Sequence, residues 1–279
     1  MTILVTGASG HVGRAVLDQL LAAGADVHAS SRDPRTAQLP EGVPVVAADL
    51  TRPETLPAAL AGVARVFLYA QPEAIDSFVQ AAQAAGVEQV VFLSSASLVE
   101  PGAADDPIAQ HHRAVEQALE RSGLAWTFVR PGAFATNALQ WARAIRAEGV
   151  VRIPYPQAES APIHEADIAA VAVAALTGDT LRNAAPHLTG PESLTQERQV
   201  TLIGEALGRE VRCVELTPEQ ARHEMGRFMP PQFVDALLRM WAVTDAVPAT
   251  ISDAVAQITG HPGRSFATWA RDHAADFRP

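Results

Sequence analysis

Short apolar runs alternate with longer amphipathic ones through the first half of the chain, and the period of each run predicts an element. Stretches at 2–6 (TILVT), 26–30 (DVHAS), 43–48 (VPVVAA), 65–70 (RVFLYA), 89–95 (QVVFLSS) and 126–131 (WTFVRP) read as strands. Between them, 11–24, 74–86 and 107–123 carry apolar residues at helical spacing. The first of these helices is stopped by Gly24, and the last opens on Pro107 and ends near Gly123. Strands apolar on both faces, each followed by a helix, require a sheet covered on both sides. The pattern predicts an α/β fold with a doubly wound parallel sheet of the Rossmann type.

After about residue 132 the rhythm changes to helices with isolated short strands. Helices are expected at 167–178, 195–208 and 266–277, and PHLTG (186–190) reads as a strand returning to the sheet. TPEQ (217–220) has the spacing of a capping box, and EVRCVEL alternates as a strand around Cys213. The expected division is a first domain over 1–131 and a smaller, mainly helical C-terminal lobe over 132–279, with 160–190 returning to pack on the sheet. That lobe is read as built over the carboxyl edge of the sheet, where such folds bind ligands.

Composition narrows the function classes. A net charge of −10 disfavours nucleic acid, which is held through clustered positive charge. The single cysteine excludes an internal disulfide and a multi-cysteine zinc site, and the scattered histidines 187, 223, 261 and 273 lack ligand spacing, so no metal is expected. No apolar run approaches the roughly 18 residues needed for a membrane span. The chain enters its first strand with no basic leader, so a cytoplasmic location is expected. A small molecule is the expected partner, and a homodimer stays open. All 21 basic residues are arginine, so no mechanism using a lysine amine is available.

VTGASGHVG (5–13) places Gly7, Gly10 and Gly13 between the first strand and the first helix. Glycines there allow a tight turn and close backbone approach, while the helix N-terminus offers amides and a positive dipole end to a pyrophosphate. The end of the second strand discriminates between dinucleotides: an acid there accepts from a ribose 2′-hydroxyl. This chain has Ser30, Ser31 and Arg32 instead, which suit a 2′-phosphate and favour NADP(H). Asp33 reads as a turn or cap residue. Asp49, with Leu50 after it, is either an adenine contact or an exposed loop acid.

These residues, with ADL (48–50), FLSS (92–95), SGLAWTFVRPGAFATN (122–137), IHEADIAAV (163–171) and the stretch 188–211, resemble the NmrA-like group of atypical short-chain dehydrogenase/reductases. The resemblance covers nearly the whole chain and is similar to NADPH-dependent quinone reductases of that group. It implies that Thr6, Gly7, Ser9, Gly10, His11, Val12 and Gly13 hold the pyrophosphate, Arg32 the 2′-phosphate, and Asp49 with Leu50 the adenine. It also implies that Tyr69, Ala70 and Gln71 flank the ribose and nicotinamide, with Ser94, Ser95 and Pro131 near the nicotinamide face.

The usual Tyr-x-x-x-Lys dyad of short-chain dehydrogenases cannot exist in a chain with no lysine and only Tyr69 and Tyr155 as tyrosines. Relatives in the group carry K-x-x-V-E-x-x-L; here Val115, Glu116 and Leu119 keep that register, which puts Arg113 in the lysine place and Ala109 where a tyrosine would be. Arg113 can hold a ribose hydroxyl or polarise a carbonyl, but cannot act as a base. His112 lies one helical turn before Glu116. The pair either raises the histidine pKa and readies a proton donor, or ties the helix down. His112, Arg113 and Tyr69 are therefore the catalytic candidates, and His164 is read as shaping a pocket rim. Phe134, Trp141, Phe228, Met229, Phe233 and Trp241 either line an apolar pocket or form the core of the smaller lobe. The expected function is an NADPH-dependent reductase of a small apolar carbonyl, enone or quinone-like substrate. The alternatives are a redox sensor without turnover, or a cyclase or isomerase.

Overall fold

In the first half, each apolar run becomes a buried strand and each amphipathic run a covering helix. The computed structural model describes residues 1–69, 72–100, 102–104 and 106–278. In chain order, the first part contains β1 (Thr2–Val5), α1 (His11–Ala22), β2 (Val27–Ser31), β3 (Val45–Ala47), α2 (Leu56–Leu60), β4 (Val63–Tyr69), α3 (Ile75–Ala85), β5 (Gln89–Leu93), α4 (Pro107–Ser122) and β6 (Ala125–Pro131). There follow α5 (Ala142–Glu148), β7 (Val150–Ile153), β8 (Glu159–Ser160), α6 (Glu165–Thr177), β9 (His187–Leu188), β10 (Leu194–Thr195), α7 (Gln196–Leu207), β11 (Arg212–Glu215), α8 (Pro218–Met225), α9 (Pro231–Val243), α10 (Ala254–Thr259) and α11 (Phe266–Asp272).

Seven strands form one parallel sheet in the order β3-β2-β1-β4-β5-β6-β9. The order reverses between β1 and β4, so the carboxyl ends of these two strands border the crevice in which doubly wound sheets take ligands. On one face α3 and α4 bury Phe78, Val115 and Leu119 against Phe92 and Phe128 of the sheet. Removing a side chain such as Phe78 costs about 3–5 kcal/mol. α4 is bounded by local chemistry: the Asp106 carboxylate accepts from the Ile108 N–H (2.9 Å), Pro107 occupies the first turn, and Gly123 ends the helix at φ +75°. α6 packs beside α1. The buried Arg65 of β4 ties down its C-terminal end by donating to the carbonyls of Leu176 (3.2 Å) and Gly178 (2.7 Å) and pairing with Asp179.

The chain divides into two compact units, one of 1–132, 165–188 and 254–261, the other of 133–164, 189–253 and 262–279. Residues 254–261, counted with the smaller lobe in the sequence division, fall in the first unit because α10 packs on α6 and buries Val255. Residues 160–164 fall in the second. That unit contains a parallel pair β7–β11 and an antiparallel pair β8–β10. Its main core gathers Trp141, Ile145, Ile203, Phe266, Trp269 and Phe277, and a smaller cluster centres on Ala221, Val234 and Leu238. Thr217 and Gln220 form the expected capping box at the start of α8. Cys213 is half-buried in β11, and burial pushes its thiol up to about 11, which leaves it a packing residue. Among the described residues no helix is long and apolar enough to cross a membrane.

Candidate functional site

The turn after β1 can be built only from small residues. Gly7 has φ +65°, and a Cβ there would lie 3.2 Å from the Cβ of Tyr69. A Cβ on Gly13 would meet the Gly7 carbonyl oxygen at 2.2 Å, so the first turn of α1 sits directly on the loop backbone. Gly10 is the N-cap of α1; no side chain caps the helix and its first turn contains no acid. An uncapped helix start behind a glycine loop offers amide donors and the positive dipole end to an anion. The residues present therefore fit a dinucleotide pyrophosphate.

The candidates of this loop divide by burial. Gly7, Ser9, Gly10 and His11 are exposed, whereas Val12 and Gly13 are buried and reach the loop through backbone alone. Thr6 is also buried; its hydroxyl donates to the Phe67 carbonyl (3.0 Å) and accepts from the Tyr69 N–H (2.8 Å). It holds the ends of β1 and β4 together at the switch point, with its hydroxyl engaged inside the protein.

Arg32 follows β2 directly, is exposed, and makes no hydrogen bond or ion pair among the described residues. Asp33 makes the following turn, its carboxylate accepting from the Arg35 N–H at 3.1 Å. The Asp49 carboxylate accepts from the backbone N–H (3.0 Å) and hydroxyl (2.7 Å) of Thr51. These bonds, with smaller help from Arg32 and Arg52, hold its carboxyl below the usual range. Leu50 is half-buried against the sheet core.

Beyond β4, Tyr69 is 53% exposed, its ring beside Gly7. Ala70 and Gln71 lie outside the described residues. Ser94 departs from the expectation of a nicotinamide contact: it is 2% exposed, and its hydroxyl donates to Glu116 at 2.6 Å, into the α4 face of the sheet. Ser95 is half-exposed and caps a short 3-10 turn by accepting from the Ser97 N–H (3.2 Å). Pro131 is buried at the end of β6.

The helix candidates are also redistributed. His112 and Glu116 have the expected spacing but do not form the expected pair. Both Glu116 oxygens are occupied, one by Ser94 and Arg130 Nε (2.9 Å), the other by Arg130 Nη2 (2.5 Å). A guanidinium matches a carboxylate through two parallel bonds, which an imidazole cannot do. His112 instead shares its Nδ1 proton with the Ile108 carbonyl (2.8 Å), and its ring centre lies 6.0 Å from that of Phe92. Burial lowers its pKa, and neighbouring His111 adds to this; the Ile108 carbonyl and Glu116 oppose it but do not win. This is the reverse of the expected shift: His112 is neutral at pH 7, with Nε2 left as an acceptor. Arg113 is exposed and donates to the Leu98 carbonyl (3.1 Å).

Arg130 was absent from the sequence candidates. Its signal is a charge inside the apolar strand WTFVRP, which demands a buried partner on the covering helix. In the second unit, Trp141 belongs to the core, Phe228 is 78% exposed, and Met229 and Trp241 pack partly buried on the smaller cluster. Phe134 and Phe233 are half-buried, and the ring of buried His164 lies 3.3 Å from Asp272.

Known proteins match this arrangement over its whole length. A family model described as NAD(P)H-binding matches residues 7–179. A (4-alkanoyl-5-oxo-2,5-dihydrofuran-3-yl)methyl phosphate reductase of Streptomyces griseus is 40% identical over 281 residues, covering 99% of each chain. An NAD(P)H azoreductase of Xenophilus azovorans is 39% identical over 289 residues, again with 99% of each covered. Among solved structures, an NADPH-dependent quinone oxidoreductase of Escherichia coli, complexed with NADPH, shares the fold at a TM-score of 0.82. The match spans 98% of this chain and 99% of that one at 23% identity. The glycine cradle, the reversed strand order and these full-length matches agree: the chain belongs to the NAD(P)H-binding family and stands among its reductases.

Proposed function

We propose that the chain is an NADPH-dependent reductase of a small apolar carbonyl, enone or quinone-like molecule. The observation that carries the cofactor choice is Arg32 at the end of β2, a guanidinium with no internal partner where an NAD-type site has an acid. Ser9, Gly10 and His11 frame the pyrophosphate, Arg32 takes the 2′-phosphate, and Asp49 lies within reach of the adenine. When bound, NADPH supplies the hydride. On α4, Arg113 offers donors and His112 an acceptor nitrogen, a combination suited to holding ribose hydroxyls. Tyr69 borders the loop from the β4 side.

The substrate class follows from what the chain lacks. With no lysine to lower a tyrosine pKa, and with His112 neutral, the site has no strong general acid. Acceptors that spread negative charge over a conjugated system need none, since water completes their protonation. The relatives' names support this: one reduces a 5-oxo-2,5-dihydrofuran, another an azo compound. The test is NADPH oxidation by the purified protein across a panel of quinones, enones and simple ketones. Turnover concentrated on the conjugated members is expected. Tight NADP binding with no turnover on any of them overturns the reading in favour of a cofactor sensor.

A further inference from the structure

Within the second unit, β11 is paired on one side only. It runs parallel to β7, from Arg212 beside Val150 to Glu215 beside Ile153. The Arg212 N–H donates to the Gly149 carbonyl (2.9 Å), and the Leu216 N–H to the Ile153 carbonyl (2.9 Å). Residues 212, 214 and 216 therefore turn their backbone groups toward β7, and alternation turns those of Cys213 and Glu215 to the other edge. Among the described residues no strand covers that edge.

A groove of about 690 Å³ runs along it. The lining takes in four consecutive strand residues, Val211 to Val214, and no residue of β7. Successive strand side chains point to opposite faces, so a groove touching all four follows the free edge and not one face. α7 forms the opposite wall through Glu197, Thr201 and Glu205. The groove narrows where α7 meets the strand: a Cβ on Gly204 would lie 3.1 Å from the Val211 nitrogen.

This wall is acidic. Glu197 accepts from the neutral Gln157 carboxamide (2.9 Å) and pairs with no cation among the described residues. Glu205 meets Arg198 of its own helix (2.8 Å), while Arg209 is turned to the Ile145 carbonyl (2.9 Å). After burial, it is Glu197 and Glu215 that push the Cys213 thiol up, so negative charge converges on the strand side of the groove. Arg212, also in the lining, stands on the strand face opposite Cys213. Glu197, Thr201 and Glu205 are one helical turn apart, about 6 Å per step. Same-side residues of an extended chain are about 6.6 Å apart, which matches that step.

We propose that this groove takes an extended segment of a partner protein, added to β11 as a strand. Its basic residues, four positions apart, face Glu197 and Glu205, and a small polar residue midway faces Thr201. Main-chain bonds to Cys213 and Glu215 supply affinity, and the acids of α7 select the segment. A second copy of this chain, with its net charge of −10, suits an acidic wall less well. The proposal stands independently of the reductase reading.

The test is calorimetric titration of the full-length protein with acetyl-Arg-Val-Ser-Val-Arg-amide and with its counterpart carrying Glu in place of both Arg. The basic peptide is expected to bind and the acidic one not. Glu197→Gln with Glu205→Gln should weaken the basic peptide at least about tenfold, the size of charge-assisted bonds. Two backbone-methylated forms test the strand addition on wild-type protein. Antiparallel pairing uses the serine N–H and parallel pairing the two valine N–H groups, so methylation of one set should weaken binding about tenfold. Equal binding of all three backbone forms, or undiminished binding to the double variant, would show only diffuse attraction to an acidic protein and overturn the proposal. So would failure of the basic peptide to bind.

Discussion

Arg130 of β6 grips Glu116 of α4 through two contacts, Nε to Oε1 at 2.9 Å and Nη2 to Oε2 at 2.5 Å, with the glutamate only 4% exposed. Ser94, just past β5, adds its hydroxyl to the same carboxylate. One buried charge pair therefore joins two strand ends and the covering helix. Removing one member strands the other without a partner. Glu116→Leu should destabilise the protein by about 3–5 kcal/mol, whereas Glu116→Leu with Arg130→Met should recover much of the loss. Urea denaturation measures both; equal losses in the single and double variants would show that the pair is not coupled.

The cradle makes a graded prediction. A Cβ at Gly13 meets backbone at 2.2 Å, but one at Gly10 meets it only at 3.4 Å. Gly13→Ala must push α1 off the loop, so NADPH affinity should fall at least about tenfold, with Gly10→Ala much milder. Fluorescence titration with NADPH checks the order. Equal affinities in the two variants would contradict the steric account.

His112 links the site to pH. Its pKa in the folded chain lies below the ordinary 6.5, so the unfolded chain binds the extra proton first. The stability it contributes is complete above about pH 6.5 and is lost as pH falls toward the folded value. His112→Gln should therefore lose less stability than wild type between about pH 7.5 and about pH 5.5. Thermal melting at both values reads this, and a larger loss in the variant would mean that the histidine is instead held charged.

Ala246 has left-handed backbone, with φ 54°, and that strain should be removable. Glycine avoids the left-handed cost of about 1–2 kcal/mol but adds unfolded-chain entropy, so Ala246→Gly is expected to stabilise by about 0.5–1 kcal/mol. Calorimetry decides it, and destabilisation would show that the backbone is not strained there.

Features set by local spacing were readable from the chain alone. The β–α alternation, the helix stops at glycine and the Thr217–Gln220 capping box depend on neighbours a few residues apart, and they emerge as expected. Side-chain partnerships set by tertiary register were not readable. His112 and Glu116 have helical pairing distance, yet the carboxylate goes to an arginine arriving on β6, fourteen residues on, with better geometry. Ser94 looked like an edge residue, but a one-residue offset at a strand end decides whether a side chain meets the ligand edge or the helix layer.

The central claim is that this chain holds NADPH through Arg32 and uses it for reduction. The most direct test is kcat/KM with NADPH and with NADH, using a naphthoquinone acceptor, for wild type and Arg32→Glu. Wild type should prefer NADPH, and the variant should lose that preference by about 10–100-fold, the worth of charge-assisted bonds to a phosphate. An unchanged preference in Arg32→Glu, or wild type that turns over neither cofactor, would contradict the account.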